Sequence, residues 1–297
     1  MRSGFVSLIG RPNVGKSTLL NTIINQKIAI TSNKPQTTRN IIQGVYNEEG
    51  YQIVFVDTPG IHKPINKLGK VLNKEAQSLI RDVDLVLFIV DAADGIGAGD
   101  KKIISSLKGT DSPVILVLNK IDRMNKEQIL KAITDYNNLY DFAEVVPLSA
   151  ITKDNVKELI EVIKKYLTDD VRYFDDETIT TSTMNFLVSE FVREKIFRMT
   201  EQEIPHSVTC VTTKYEEKKN IVNITVEVIV DRDSIKKIVI GKNGALLKTV
   251  GIEARKDIEA LIDKKVYLEL YVKTIEKWRD KERYLNELGF NEKDIIG

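Results

Sequence analysis

Cysteine is nearly missing from this chain. Cys210 is the only one among 297 residues, which excludes an internal disulfide and a thiolate-bound metal cluster. Histidine is almost as scarce, and His62 and His206 have no sequence neighbours that suggest catalysis. No apolar run approaches the roughly 18 residues that span a bilayer, and the first residues show no signal-peptide pattern, so the expected location is the cytosol. Charge of one sign is also lacking: net +1, with 42% hydrophobic and 29% charged residues, is ordinary for a soluble protein of about two domains.

What is present begins near the N-terminus. Gly10-Arg11-Pro12-Asn13-Val14-Gly15-Lys16-Ser17 follows an apolar strand, Phe5 to Ile9, and precedes a helix opening at Thr18. This is the spacing G-x-x-x-x-G-K-S in its strand and helix context. Glycines let successive backbone N–H groups turn inward, and the helix N-terminus adds its positive dipole end, so the loop is a phosphate cradle. Lys16 reaches the β- and γ-phosphates and Ser17 is placed to ligate Mg²⁺.

Further motifs follow, each at the C-terminal end of a predicted strand. The polar loop from Gln26 to Asn40 carries Thr37 and Thr38, of which Thr38 is the first candidate to complete the magnesium shell while a γ-phosphate is bound. The strand Tyr51 to Val56 ends on Asp57-Thr58-Pro59-Gly60, an acid for the metal and a Gly60 amide for the γ-phosphate. Asp84 to Val90 reads as a strand covered on both faces, followed by a polar, glycine-rich connection from Asp91 to Asp100. The strand Val114 to Leu118 terminates in Asn119-Lys120-Ile121-Asp122. Guanine offers N1–H and a 2-amino group that Asp122 can accept together, and adenine offers neither. A site built on such bonds rejects the wrong base by roughly 10⁴-fold. Lys120 would lie along the base and Asn119 would tie the two loops together. Ala143 to Leu148 leads to Ser149-Ala150, whose amide suits the guanine O6. Alternation of strand and helix gives a doubly wound, mostly parallel α/β domain that binds ligands at this rim.

The series resembles the guanine-nucleotide-binding proteins related to Ras. Gly10 to Ser17 with Gln36-Thr37-Thr38-Arg39 is similar to bacterial ribosome-associated members of the TrmE-Era-Der type. The resemblance implies GTP and GDP as ligands, Mg²⁺, and hydrolysis with Lys16, Thr38, Gly60 and Asn13 as the catalytic set. Ile61 departs from the pattern, since Ras-like enzymes place a water-orienting glutamine there and isoleucine can neither donate nor accept. Similar GTPases with asparagine at the Asn13 position use a K⁺ ion bound there, which makes K⁺ a further expected cofactor.

The second half starts after an acidic, polar stretch. Residues 1–168 are expected as the first domain, 169–183 as a linker and 184–297 as the second domain. A helix, Met184 to Arg198, precedes two alternating strands, Ser207 to Tyr215 and Asn220 to Val230, and a third strand spans Lys265 to Lys273. Between them, Lys236-Lys237-Ile238-Val239-Ile240 leads into Gly241-Lys242-Asn243-Gly244 and a helix from Ala245 to Ile262. Six cations, Lys248 and Arg255 among them, face one acid between Lys236 and Lys256, which points to a docked polyanion. The Gly-x-x-G loop in this setting matches a KH domain, in which glycines let the nucleic-acid backbone approach and Lys242 answers a phosphate. Ile238, Val239 and Ile240 are expected as an apolar platform for bases, and Trp278 as packing against the sheet. The predicted fold is thus an α/β P-loop GTPase domain followed by a smaller α+β KH (type II) domain.

That domain order is similar to GTPases that assist small ribosomal subunit assembly. The resemblance implies binding near the 3′ end of 16S ribosomal RNA on the 30S subunit, a monomer, and loose association with the inner face of the cell membrane. A passive RNA-binding assembly factor is the alternative, and a P-loop kinase is disfavoured by the guanine motif.

Overall fold

Runs of β-branched and aliphatic residues with no polar alternation, such as Leu85-Val86-Leu87-Phe88-Ile89-Val90, can be satisfied only by a strand covered on both faces. All six are fully buried. The computed structural model describes residues 1–32, 34, 37–59, 67–78 and 83–288, with 73–78 by backbone alone. Among these, 1–29, 38–59 and 72–181 form one compact unit, and 30–37, 67–71 and 182–288 form another.

The first unit holds strands β1 (Arg2–Ile9), β2 (Ile42–Glu48), β3 (Tyr51–Asp57), β4 (Leu85–Asp91), β5 (Val114–Asn119) and β6 (Glu144–Pro147). They form one sheet in the order β2-β3-β1-β4-β5-β6, in which only the β2–β3 pair is antiparallel. Helices α1 (Lys16–Ile24), α2 (Lys67–Ser78, which runs on from the second unit), α3 (Ala98–Leu107), α4 (Lys126–Asn137) and α5 (Val156–Lys164) connect or flank the strands. Parallel pairing puts the C-terminal ends of β1, β3, β4 and β5 on one rim, and register sets Asp91 beside Asn119.

The stretch expected as a linker is ordered along most of its length. Gln52, fully buried on β3, accepts the amides of Tyr173 and Phe174 at 2.8 and 3.0 Å and donates to the Phe174 carbonyl at 2.8 Å. Asn47 holds the carbonyls of Asp176 and Thr178, Val45 donates its amide to Ile179, and Gln43 receives the hydroxyls of Thr180 and Thr181. Residues 169–181 are therefore a strap bonded to the edge strand β2 and to its neighbours.

The second unit is built from α6 (Met184–Met199), β7 (Val208–Glu217), β8 (Ile221–Val230), α7 (Asp233–Ile240), α8 (Ala245–Ile262), β9 (Lys265–Thr274) and α9 (Glu282–Glu287). Its sheet runs β7-β8-β9, with β7 antiparallel and β9 parallel to the central strand. A parallel neighbour needs a crossover, which α7 and α8 provide. Alternation along β8 sends Val222, Ile224, Val226 and Val228 into a core shared with Phe191, Ile235, Val239 and Ile258. Cys210 is buried in the same core. Trp278 is fully buried and its indole N–H donates at 3.0 Å to the carbonyl of Ser207, the residue before β7.

Candidate functional site

The loop after β1 turns on Gly15, which has φ 104° and caps α1; a Cβ there would stand 2.3 Å from the Asn119 amide nitrogen. Only glycine meets both demands. Lys16, the first helical residue, is 6% exposed and its ammonium donates to the carbonyls of Gly10 and Arg11 at 3.2 and 3.1 Å. Burial lowers its pKa, and the nearby Asp57 carboxylate works against that shift. Thr18 follows on α1, and Pro12 lies in the loop, half-buried.

The three residues expected at the metal come together. Ser17 donates to Asp57 Oδ2 at 2.6 Å, and its hydroxyl lies 2.9 Å from that of Thr38. Thr37 is turned elsewhere, its hydroxyl donating to the Lys34 carbonyl at 2.7 Å. Asp57 is fully buried, and burial pushes its carboxyl up to about 6 against the opposing effects of Lys16 and Ser17. Its Oδ1 is buried without a hydrogen-bond partner among the described residues. An orphaned carboxylate oxygen beside two hydroxyls is the donor set a hydrated Mg²⁺ satisfies, so the residues present fit that ion.

Thr58, expected in the nucleotide-binding motif, has its side chain engaged within the fold. Its side chain leaves the rim and donates to the Leu8 carbonyl at 2.9 Å, which ties β3 to β1. Pro59 beside it is buried. Gly60 and Ile61 lie outside the described residues.

On the base side, Asn119 Nδ2 donates to the Val14 carbonyl at 2.8 Å, and Lys120 Nζ donates to the Asn13 carbonyl at 2.9 Å. Asn13 itself has φ 65°, a left-handed conformation that asparagine tolerates better than most residues. Ile121 and Asp122 form a short 3-10 turn, and Ser149 Oγ donates to Asp122 Oδ1 at 2.7 Å, which leaves Oδ2 for a ligand. The Ala150 amide, expected to meet guanine O6, donates to Asn119 Oδ1 at 3.0 Å in the ligand-free site. Sequence reasoning passed over Asp91 and Asp100. The signal was a carboxylate ending a buried strand next to the strand that ends in Asn119 and Lys120.

In the second unit Gly241 and Gly244 both have φ 76°, and Asn243 between them has φ 52°. A Cβ on Gly241 would meet the Leu246 backbone at 2.9 Å. Lys237, Lys242, Lys248 and Arg255 are exposed, and Lys236 is half-buried. A groove of about 330 Å³ runs beside the loop, with Leu247, Ile252, Leu268 and Leu270 as its apolar floor and Lys248 and Arg255 on its lining. The expected platform is corrected at one position. Val239 is fully buried, because residues 235 and 239 are one helical turn apart on the core face of α7. Ile238 is 48% exposed and Ile240 half-buried, and neither lines the groove.

Fold and site together define a P-loop GTPase joined to a KH domain. Residues 5–120 match the family described as 50S ribosome-binding GTPase, and residues 203–279 match the KH domain family. GTPase Era of Clostridium kluyveri is 45% identical over 291 residues, covering 98% of this chain and 99% of that protein. Two crystal structures are similar along 98% of this chain and 99% of their own, each at TM-score 0.94 and 37% identity. One is a point variant of Aquifex aeolicus Era bound to GDP and AlF4⁻, and the other is Era with MgGDPNP and nucleotides 1506–1542 of 16S ribosomal RNA. The chain belongs to the Era family of GTPases.

Proposed function

We propose that this protein is a GTP-hydrolysing switch that binds the 3′ region of 16S ribosomal RNA through its KH domain and assists small ribosomal subunit assembly. The observation that carries the switch is the position of Thr38. Its hydroxyl meets Ser17 in the first unit, while the preceding Thr37 belongs to the second unit, where its carbonyl accepts from Arg193 of α6. Arg193 is itself fixed by a two-pronged bond to Glu190. A loop whose metal ligand is one residue from that anchor reports the γ-phosphate to the RNA-binding unit through the chain itself.

In this reading Ser17 and Thr38, with Asp57 in support, would hold Mg²⁺, which would supply positive charge for the phosphates. Lys16 adds its ammonium to the same oxygens, and the loop amides from Asn13 to Ser17 cradle the β-phosphate. Hydrolysis is slow without RNA or the ribosome, since the position after Gly60 carries isoleucine. The Asn13 side chain would hold K⁺, which would supply charge to offset that developing between the phosphates. Turnover in K⁺ is expected to exceed turnover in Na⁺ at equal ionic strength, and equal rates would remove the ion from the mechanism.

RNA lies along the groove, its bases on Leu247, Ile252, Leu268 and Leu270 and its phosphates toward Lys242, Lys248 and Arg255. Lys242→Ala with Lys248→Ala is expected to weaken binding of the 16S 3′ segment. The slope of log K against log salt should fall by about 0.7 per lost phosphate contact. An unchanged slope would place the RNA elsewhere. No helix among the described residues is long and apolar enough to cross a membrane; we place the protein in the cytoplasm as a monomer, with peripheral association at the inner membrane face.

A further inference from the structure

Two aspartates that belong to no nucleotide-binding motif hold the cations of loops that do. Asp91, the last residue of β4, is 3% exposed; its carboxylate takes the Lys120 ammonium and also accepts the Ala93 amide at 3.2 Å. Lys120 in turn donates to the Asn13 carbonyl. Asp100, in the first turn of α3, is fully buried and accepts from Arg11 Nε at 2.9 Å and from the Gly97 amide at 2.8 Å. The glycine-rich connection makes room for Arg11: a Cβ on Gly99 would stand 2.7 Å from Arg11 Cδ, and one on Gly97 3.1 Å from Arg11 Nη1. The Arg11 carbonyl is one of the two that orient Lys16.

We propose that Asp91 and Asp100 are positioning residues that brace the phosphate loop from outside, Asp91 through Lys120 and Asp100 through Arg11. The inference rests on the GTPase reading and concerns the same site. A loop with its N–H groups turned inward and a non-glycine residue at φ 65° is not a low-energy conformation by itself. Two charge-assisted contacts to buried aspartates, one on either side of Pro12, hold it in shape before a ligand arrives. Because the braced loop meets the base and the β-phosphate of GDP and GTP alike, the effect falls first on binding of both nucleotides, and any effect on the chemical step, passed on through Lys16 and Asn13, is smaller.

The test uses the full chain with Asp91→Asn, Asp100→Asn and Gly99→Ala, measuring dissociation constants for GDP and GTP together with KM and kcat. Each aspartate variant is expected to raise both dissociation constants and KM by about tenfold, the worth of one charge-assisted bond, with any fall in kcat smaller than the rise in KM. Gly99→Ala displaces Arg11 with every charge in place and should act in the same direction, which keeps the test readable should an aspartate variant fail to fold. Once Arg11→Ala is present, Asp100→Asn should add nothing. Unchanged dissociation constants with a lowered melting temperature would reduce both residues to structural ones, and a fall in kcat at constant KM would move their action to the chemistry; either result overturns the proposal. Failure of the parent protein to retain guanine nucleotide would be a failure of the GTPase reading instead, visible in the same titration.

Discussion

Asp122→Asn is expected to lower affinity for GDP and GTP by roughly 10³- to 10⁴-fold and to raise affinity for xanthine nucleotides. The carboxylate has one oxygen occupied by Ser149 Oγ, which is itself held by the Thr152 amide at 3.2 Å. The other oxygen, with its share of the negative charge, is what N1–H and the 2-amino group of guanine meet. An amide in that place turns one acceptor into a donor, which opposes the 2-amino group and suits the O2 carbonyl of xanthine. A hydrogen-bonding site discriminates at this level because the mismatch leaves desolvated polar groups unpaired. Competition titrations with GDP, XDP and ADP read the effect. Equal retention of ATP and GTP by the unaltered protein would refute selection by Asp122 altogether.

Lys16→Ala is expected to lower hydrolysis by about 10³-fold, in the range found when one stabilising group is taken from charge developing in a transition state. The ammonium is buried, its pKa is lowered by that burial, and it spans the Gly10 and Arg11 carbonyls. Alanine leaves those carbonyls without their donor and the phosphates without their nearest fixed cation. The same variant separates the two functional readings in cells. A switch stalls subunit maturation when Lys16 is lost, whereas a passive RNA-binding factor supports maturation at the normal level.

The rim of the first unit was legible because each motif terminates a run of buried aliphatics, and parallel strands gather their ends in one place. The glycine pair at 241 and 244 was legible for a similar reason: both hold a positive φ, and at Gly241 close approach to Leu246 narrows the choice further. Other features left weaker marks. Val239 sits in an unbroken apolar triplet, and only its spacing from Ile235 tells the inward position from the outward one. Thr58 and the Ala150 amide also bond within the fold, to a neighbouring strand and loop, and a motif does not show such bonds. Residues 169–183 read as a linker because the bonds that hold 169–181 are made largely by amide side chains on distant strands, which imprint no periodicity on the segment they hold. Asp91 and Asp100 act through intermediaries, and a sequence does not show which cation an acid will face.

The strap along β2 has a practical corollary for dissecting the protein. β2 is an edge of the six-stranded sheet, and open edges recruit strands from other chains. By occupying the Val45 amide and the Gln43 carbonyl, residues 179–181 act as a guard on that edge. A fragment stopped at Leu167 would expose it and self-associate, whereas one carried through to Thr181 keeps its own cover.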